Sequence, residues 1–179
     1  MNKILRMIVV LSIIGFLSGG ILAAVYQFSH PLIEMRRAEA LKAAIFEIFP
    51  QAENYKEIEK NIYKAFDRND NLLGYTLTLQ GGGYQGIIKL MIGISADLEK
   101  FIGLVILEDI ETPGLGAKIG SKEFREQFRD LFTSRPIQYV KNIKPKPPYE
   151  IQAITGATIS SRSVVKIINQ GVQAWLRVK

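Results

Sequence analysis

The stretch from Met7 to Ile33 restricts the fold of this chain more than any other feature, because it contains no Asp, Glu, Lys or Arg. A helix rises about 1.5 Å per residue, so a helix of this length outspans a hydrocarbon layer of roughly 30 Å. Tyr26 and Phe28 stand near its far end, where aromatic side chains favour a membrane interface. The sequence therefore predicts a transmembrane anchor helix over residues 1–30.

A cleavable signal peptide is the alternative interpretation of this stretch. Lys3 and Arg6 form a basic start, and the sequence LAA at 22–24 resembles a small-residue cleavage site. The apolar run is long for a signal peptide, which favours a retained anchor. Orientation stays open, because basic residues flank the run on both sides. Those on the far side are Arg36, Arg37 and Lys42.

Composition excludes several kinds of site. The chain has no cysteine, so disulfides, thiolate nucleophiles and Cys-ligated iron–sulfur or zinc sites are excluded. With His30 as its single histidine, no metal site is expected. The net charge is +6, but basic residues are interspersed with acids, so nucleic-acid binding is not expected. Any redox activity must therefore rely on an organic cofactor.

Beyond the apolar run, the pattern predicts an amphipathic connecting helix over residues 31–50 that stops at Pro50. Its apolar residues recur at roughly helical spacing and are Ile33, Ala38, Leu41, Ile45, Ile48 and Phe49. Extended runs rich in β-branched residues follow, joined by the turn sequences DRND and SADLEK. These runs predict an antiparallel meander.

The C-terminal part predicts two helices and a short strand. A short helix is expected over residues 121–132, with Ser121 as its N-cap. Its apolar face consists of Phe124, Phe128, Leu131 and Phe132. The proline-rich sequence IKPKPPYE must be extended, YEIQAI resembles a strand, and residues 160–179 predict a closing helix. The apolar face of that helix consists of Val164, Ile168, Val172 and Trp175. The fold class is α+β, with one domain over residues 51–179.

The sequence ITGATISSR, residues 154–162, gathers small hydroxyl residues where the predicted closing helix begins. These residues are Thr155, Thr158, Ser160 and Ser161. Gly156 lets the backbone turn tightly, and Ala157 keeps the corner small. Backbone N–H groups and the helix dipole favour an anion at such a place, and hydroxyls donate to phosphate oxygens. The alternative is a helix cap with spare hydroxyls.

Two glycine-rich stretches stand earlier in the chain. In ETPGLGAKIG, Pro113 and Gly114 suit the central positions of a type II turn, and Leu115 lies between Gly114 and Gly116. Such a loop bares its backbone to a flat ligand and offers an apolar contact; a plain tight connection is the alternative. QGGGYQG carries Tyr84 and resembles a mobile hairpin end.

Together these motifs resemble the FMN-binding domain family of the G subunit of the Rnf ferredoxin:NAD oxidoreductase and the C subunit of the sodium-pumping NADH:quinone oxidoreductase. In that family a flavin transferase joins FMN through a phosphoester to the last threonine of Asp-x-x-Ser/Thr-Gly-Ala-Thr. Here that threonine is Thr158, and Gln152 stands in place of Asp. The residues that the resemblance places beside the isoalloxazine ring are Glu111, Thr112, Gly114, Leu115 and Gly116. Asp109 stands where relatives often carry His.

The resemblance implies an electron-transfer subunit of a membrane-bound, ion-translocating Rnf-type complex, active only with its partner subunits. It also implies a single-pass protein of the inner or plasma membrane, with a cytoplasmic N-terminus, an extracytoplasmic domain and contact with lipid. One alternative is a stand-alone membrane-anchored flavoprotein of another electron-transfer chain. The other is a non-redox binding module in which Thr-Gly-Ala-Thr only caps a helix.

Overall fold

One long helix, α1 (Lys3–Ile48), begins the computed structural model, which describes residues 2–177. Contacts divide the chain into a unit that ends at Ala40 and a second unit that begins at Leu41. By length and composition α1 is able to cross a membrane. The predicted anchor over residues 1–30 and the predicted connecting helix over residues 31–50 form one helix, with Pro31 inside it. Met1 lies outside the described residues.

Only the last turns of α1 are buried. Ala44, Ile45 and Ile48 pack in the second unit, and Phe49 follows them. Ile33 and Ala38 are exposed, so the predicted apolar stripe is confined to its C-terminal part. The helix ends two residues before Pro50, because the residue preceding a proline disfavours helical backbone.

A five-stranded antiparallel sheet forms the centre of the second unit, in the order β1-β2-β3-β4-β5. Its strands are β1 (Asn54–Glu59), β2 (Ile62–Phe66), β3 (Leu72–Gly82), β4 (Ile87–Ser95) and β5 (Phe101–Glu108). The predicted meander is confirmed, and the sequence missed β1. That strand is the sheet edge and is mostly exposed, so it lacks the apolar alternation that reveals a strand.

The remaining elements follow β5. They are a 3₁₀ turn (Gly116–Gly120), α2 (Lys122–Glu126), β6 (Gln138–Val140), β7 (Glu150–Gln152) and α3 (Thr158–Leu176). β6 pairs in parallel with β7 and was not predicted. The predicted closing helix is α3, which starts two residues earlier than expected; Val178 and Lys179 lie outside the described residues.

α2 is shorter than the predicted helix over 121–132. The hydroxyl of Ser121 accepts a hydrogen bond from the N–H of Phe124 at 3.3 Å, which confirms the N-cap. Beyond Glu126 the chain continues in turns, and Asp130 has a φ of 62°, which is not helical backbone. The aromatic face still packs inward, because Phe124 and Phe128 are fully buried.

Helices cover both faces of the sheet. The C-terminal turns of α1 pack on one face around Met91, and α3 packs on the other around Leu77, Leu90 and Ile92. β4 is therefore buried along most of its length. This arrangement is of the predicted α+β class.

α3 runs antiparallel to β3 at close range. Tyr75 contacts Trp175 with ring centroids 5.2 Å apart, and a Cβ on Gly81 would lie 2.6 Å from Cγ1 of Ile167. The N-terminus of α3 therefore lies beyond Gly82, at the end of the sheet where the β3–β4 turn and the end of β5 also lie.

Thr76 in β3 supplies a stability test. It is fully buried, and its hydroxyl has no hydrogen-bond partner in the part of the chain that the structure describes. An unpaired buried hydroxyl costs about 1–3 kcal/mol, so Thr76→Val should raise the free energy of unfolding by about 1 kcal/mol. Chemical denaturation of the detergent-solubilised chain measures this.

Thr133→Val is the matched control. Thr133 is also buried, but its hydroxyl donates to the carbonyl oxygen of Leu98, so this variant should lose stability. Equal destabilisation by both substitutions would contradict the assignment of Thr76 as an unpaired group.

Candidate functional site

A cleft of about 390 Å³ opens at the end of the sheet where the N-terminus of α3, the β3–β4 turn and the end of β5 lie. It brings together residues of the three sequence stretches QGGGYQG, ETPGLGAKIG and ITGATISSR. Its lining consists of Tyr84, Glu111, Thr112, Leu115, Gly116, Lys141, Gly156, Ala157, Thr158, Ile159 and Ser160. Most of the predicted site residues thus share one cavity although they are distant in sequence.

Two tight turns with glycine at the third position shape the cleft. Gly114 has a φ of 77°, and the N–H of Leu115 donates to the carbonyl of Thr112 at 3.1 Å. Gly156 has a φ of 82°, and the N–H of Ala157 donates to the carbonyl of Ile154 at 3.0 Å. A positive φ at this position is the mark of a type II turn, which confirms the turn predicted at Pro113–Gly114.

The two turns also touch each other. A Cβ on Gly156 would lie 3.3 Å from Cδ2 of Leu115, so the leucine side chain rests against the turn that precedes α3. At Gly114 an added Cβ would meet nothing within 4 Å, and its backbone faces open space. The absence of a side chain at Gly156 therefore allows close packing against Leu115, and glycine at both positions allows the positive φ of the turns.

α3 begins at Thr158, and Ala157 occupies its N-cap position. A methyl group accepts no hydrogen bond, so this residue cannot satisfy the first N–H groups of the helix as Ser, Thr, Asp or Asn would. The cluster of hydroxyls therefore does not cap the helix from the N-cap position. The N-terminus of α3 instead directs its dipole towards the cleft wall that Thr158 forms.

The four hydroxyl residues have separate environments. Ser161 is fully buried; its hydroxyl donates to the carbonyl of Ala157 and accepts from the N–H of Ile154, both at 3.0 Å. Ser160 is buried and donates to Oε2 of Glu111 at 2.8 Å. Thr158 is half-buried and lines the cleft.

Thr155 lies apart from the main cleft. It is exposed and lines a second cleft of about 250 Å³ together with Gln152. Glu123 lines that cleft too, and hydrogen bonds from its own backbone N–H and from Ser121 lower the pKa of its carboxyl group.

Asp109, which stands where relatives often carry His, forms a local hydrogen bond. Its Oδ1 accepts the N–H of Glu111 at 3.1 Å.

Exposed apolar side chains line the mouth of the main cleft. Tyr84 is 64% exposed, Leu115 48% and Ile159 44%. Sequence reasoning missed Ile159 and Lys141 as lining residues. Ile159 could have been predicted, because it directly follows Thr158 in the motif. Lys141 lies just after β6, a strand that the sequence did not predict. Lys141 supplies the one cationic side chain in the described lining.

The turns, the helix N-terminus and the apolar mouth define a domain suited to a flat, phosphorylated cofactor. A family model described as an FMN-binding domain matches residues 83–173, a span that contains every lining residue of the cleft. The chain belongs to this FMN-binding domain family. The resemblance inferred from the motifs is therefore confirmed.

Relatives of known name match almost the whole chain. The G subunit of the ion-translocating oxidoreductase complex of Methanosarcina acetivorans is 33% identical over 96% of this chain and 94% of its own length. The G subunit of the proton-translocating ferredoxin:NAD(+) oxidoreductase complex of Clostridium ljungdahlii is 30% identical over 96% of this chain and 91% of its own length.

Solved structures show the same fold. NqrC of Shewanella oneidensis superposes with a TM-score of 0.58 at 19% identity, covering 75% of both chains. The C subunit of the Na(+)-translocating NADH-quinone reductase of Parabacteroides distasonis also gives 0.58, at 23% identity, over 65% of this chain and 60% of its own. The predicted fold class is confirmed by this likeness.

Ser161 supplies a test of how the turn before α3 is held. Ser161→Ala leaves the partly buried N–H of Ile154 without its acceptor, so the free energy of unfolding should fall by about 1–3 kcal/mol. Thr155→Ala, at an exposed position of the same motif, should change it by less than about 0.5 kcal/mol. Chemical denaturation compares the two variants, and equal effects would contradict the structural role of Ser161.

Proposed function

We propose that this chain is an electron-transfer subunit of a membrane-bound, ion-translocating complex of the Rnf type, and that it carries FMN esterified to Thr158. One observation supports this most directly. Thr158 is the first residue of α3 and shares a cleft with the Thr112–Gly116 turn, although the two are far apart in sequence. The named relatives are G subunits of ion-translocating and proton-translocating oxidoreductase complexes.

The residues of the cleft fit the parts of FMN. The N-terminus of α3 and the ammonium group of Lys141 would stabilise the phosphate. Leu115, Tyr84 and Ile159 offer apolar surface to the ring, and the glycine turns leave room beside it. Bound FMN would supply uptake and release of electrons. The protein then needs no general acid, base or nucleophile.

A covalent bond suits the proposed location. The domain would lie outside the cytoplasm, where a lost cofactor could not be replaced from the cytoplasmic FMN pool. A flavin transferase would attach FMN during maturation, and α1 would anchor the domain in the lipid bilayer. Electrons would pass between this flavin and redox centres of neighbouring subunits.

Thr158→Val tests the attachment. Valine keeps the shape of the side chain but has no oxygen for a phosphoester, so covalent flavin should be lost completely. Intact mass and in-gel fluorescence of denatured protein, coexpressed with a flavin transferase, measure this. The wild type should gain the mass of one FMN less one water.

Thr78→Val is the control for this experiment, because Thr78 lies in β3 outside the cleft and the variant should keep its flavin. Covalent flavin in Thr158→Val would refute the attachment site. A wild type without flavin from its own host would favour the non-redox binding module. Absence of integral membrane partners on purification would favour the stand-alone flavoprotein.

The chain has no cysteine, which permits a direct test of orientation. Ala96 is exposed in the turn between β4 and β5, so Ala96→Cys should react with a membrane-impermeant maleimide in intact cells. Lys3→Cys, near the start of α1, should react only after the cells are permeabilised. The reverse pattern would place the domain in the cytoplasm.

A further inference from the structure

The buried carboxylate of Glu111 lies where the walls of the cleft meet. Glu111 is only 6% exposed. Its Oε1 accepts hydrogen bonds from the N–H groups of Tyr84 at 2.6 Å and Gln85 at 3.4 Å, and its Oε2 accepts from the hydroxyl of Ser160 at 2.8 Å. One side chain thus joins the β3–β4 turn, the loop after β5 and the first turn of α3.

Two glycines are fitted around this carboxylate. A Cβ on Gly83 would overlap Oε1 of Glu111. A Cβ on Gly116 would lie 2.5 Å from Oε2 and 2.8 Å from Oγ of Ser160. These distances are shorter than the contacts that real Cβ atoms make, and neither glycine has a positive φ. Packing around the carboxylate, with Ile88 beside Gly83 and Ser160 beside Gly116, therefore favours glycine at both positions.

We propose that Glu111 is a positioning residue that assembles the flavin cleft before the cofactor arrives and places a fixed negative charge in its wall. This inference rests on the proposed function. Buried carboxylates are costly unless hydrogen-bonded, and the three donors supply that compensation. Removing the carboxylate would therefore destabilise the three segments that it joins far more than it destabilises the core.

Non-covalent FMN affinity tests this assignment. In the full-length Thr158→Val chain the ester is removed, so FMN titration followed by fluorescence measures the cleft itself. Glu111→Ala in this background removes the acceptor of all three hydrogen bonds and should weaken FMN binding about tenfold or more, the effect of losing roughly 1.4 kcal/mol. Glu111→Gln keeps the shape and should weaken it much less.

Glycine variants supply a steric test with a matched control. Gly83→Ala forces a methyl group against the carboxylate and against the side chain of Ile88, and should weaken FMN binding at least as much as Glu111→Ala. Gly82→Ala, one residue earlier, adds a methyl group that meets nothing within 4 Å and should leave binding unchanged. Equal affinities for Glu111→Ala, Gly83→Ala and their parent would overturn the proposal.

Amide hydrogen exchange of the FMN-free protein separates this inference from the proposed function. In Glu111→Ala the amides of Tyr84 and Gln85 should exchange about tenfold faster, while amides of β4 stay protected. The proposed function fails if the coexpressed wild type carries no covalent flavin, and hydrogen exchange then tests the role of Glu111 by itself. Unchanged exchange at Tyr84 and Gln85 would overturn the positioning role.

The midpoint potential supplies a readout that a purely structural role leaves unchanged. Reduction adds negative charge to FMN, and a carboxylate in the wall opposes it. Glu111→Gln in the covalently loaded chain should therefore shift the potential upwards while its melting temperature stays close to that of the wild type. A potential equal to that of the wild type would refute the electrostatic part of the proposal.

Discussion

The antiparallel packing of α3 on β3 determines where everything else in the second unit can lie. Gly81 and Gly171 permit this close approach, since a Cβ at either position would strike the side chain of Ile167 or Leu79. With α3 held in this direction, its N-terminus must emerge at the end of the sheet where β4 begins and β5 ends. Four separate parts of the chain therefore meet at a single cleft.

Around that cleft, the hydroxyl residues of the segment 154–162 have different roles, although they look alike in sequence. Ser161 fixes the turn before α3, and Ser160 binds the carboxylate of Glu111. Both are buried, so their hydroxyl groups serve the protein itself. Thr158 alone among them begins the helix and also lines the cleft. The geometry of the motif thus separates the proposed attachment site from the residues that hold it in place.

Local patterns were sufficient for much of the fold. The apolar run predicted the N-terminal part of α1, the turn sequences predicted the meander, and Gly114 predicted a type II turn that the backbone confirms. The patterns failed where elements are short or exposed: β1 is an edge strand, and β6 spans three residues in a segment bounded by prolines. Single-residue signals such as Asp130 at positive φ are weak in sequence, and the predicted length of α2 was wrong for that reason.

The site could be predicted only as far as its motifs extend. The predicted stretches meet in one cleft, but the roles of individual side chains depend on contacts across long separations. Glu111 bonds residues 27 positions before it and 49 positions after it. No local sequence pattern predicts hydrogen bonds over such separations. Lys141 was not predicted either, because the parallel pairing of β6 with β7 brings it to the cleft. The hydrogen bonds of Glu111 and the position of Lys141 in the cleft are therefore visible only in the folded structure.

The openness of the cleft gives a physical reason for the proposed ester. Pockets that retain small ligands without a bond usually bury most of the ligand surface. Here the apolar mouth is formed by Tyr84, Leu115 and Ile159, all substantially exposed, so non-covalent affinity alone would be limited. A phosphoester to Thr158 would make rebinding intramolecular and keep the effective cofactor concentration high. An open mouth also leaves the ring accessible to a redox partner, so retention by a bond and access for electron transfer are compatible in the same cleft.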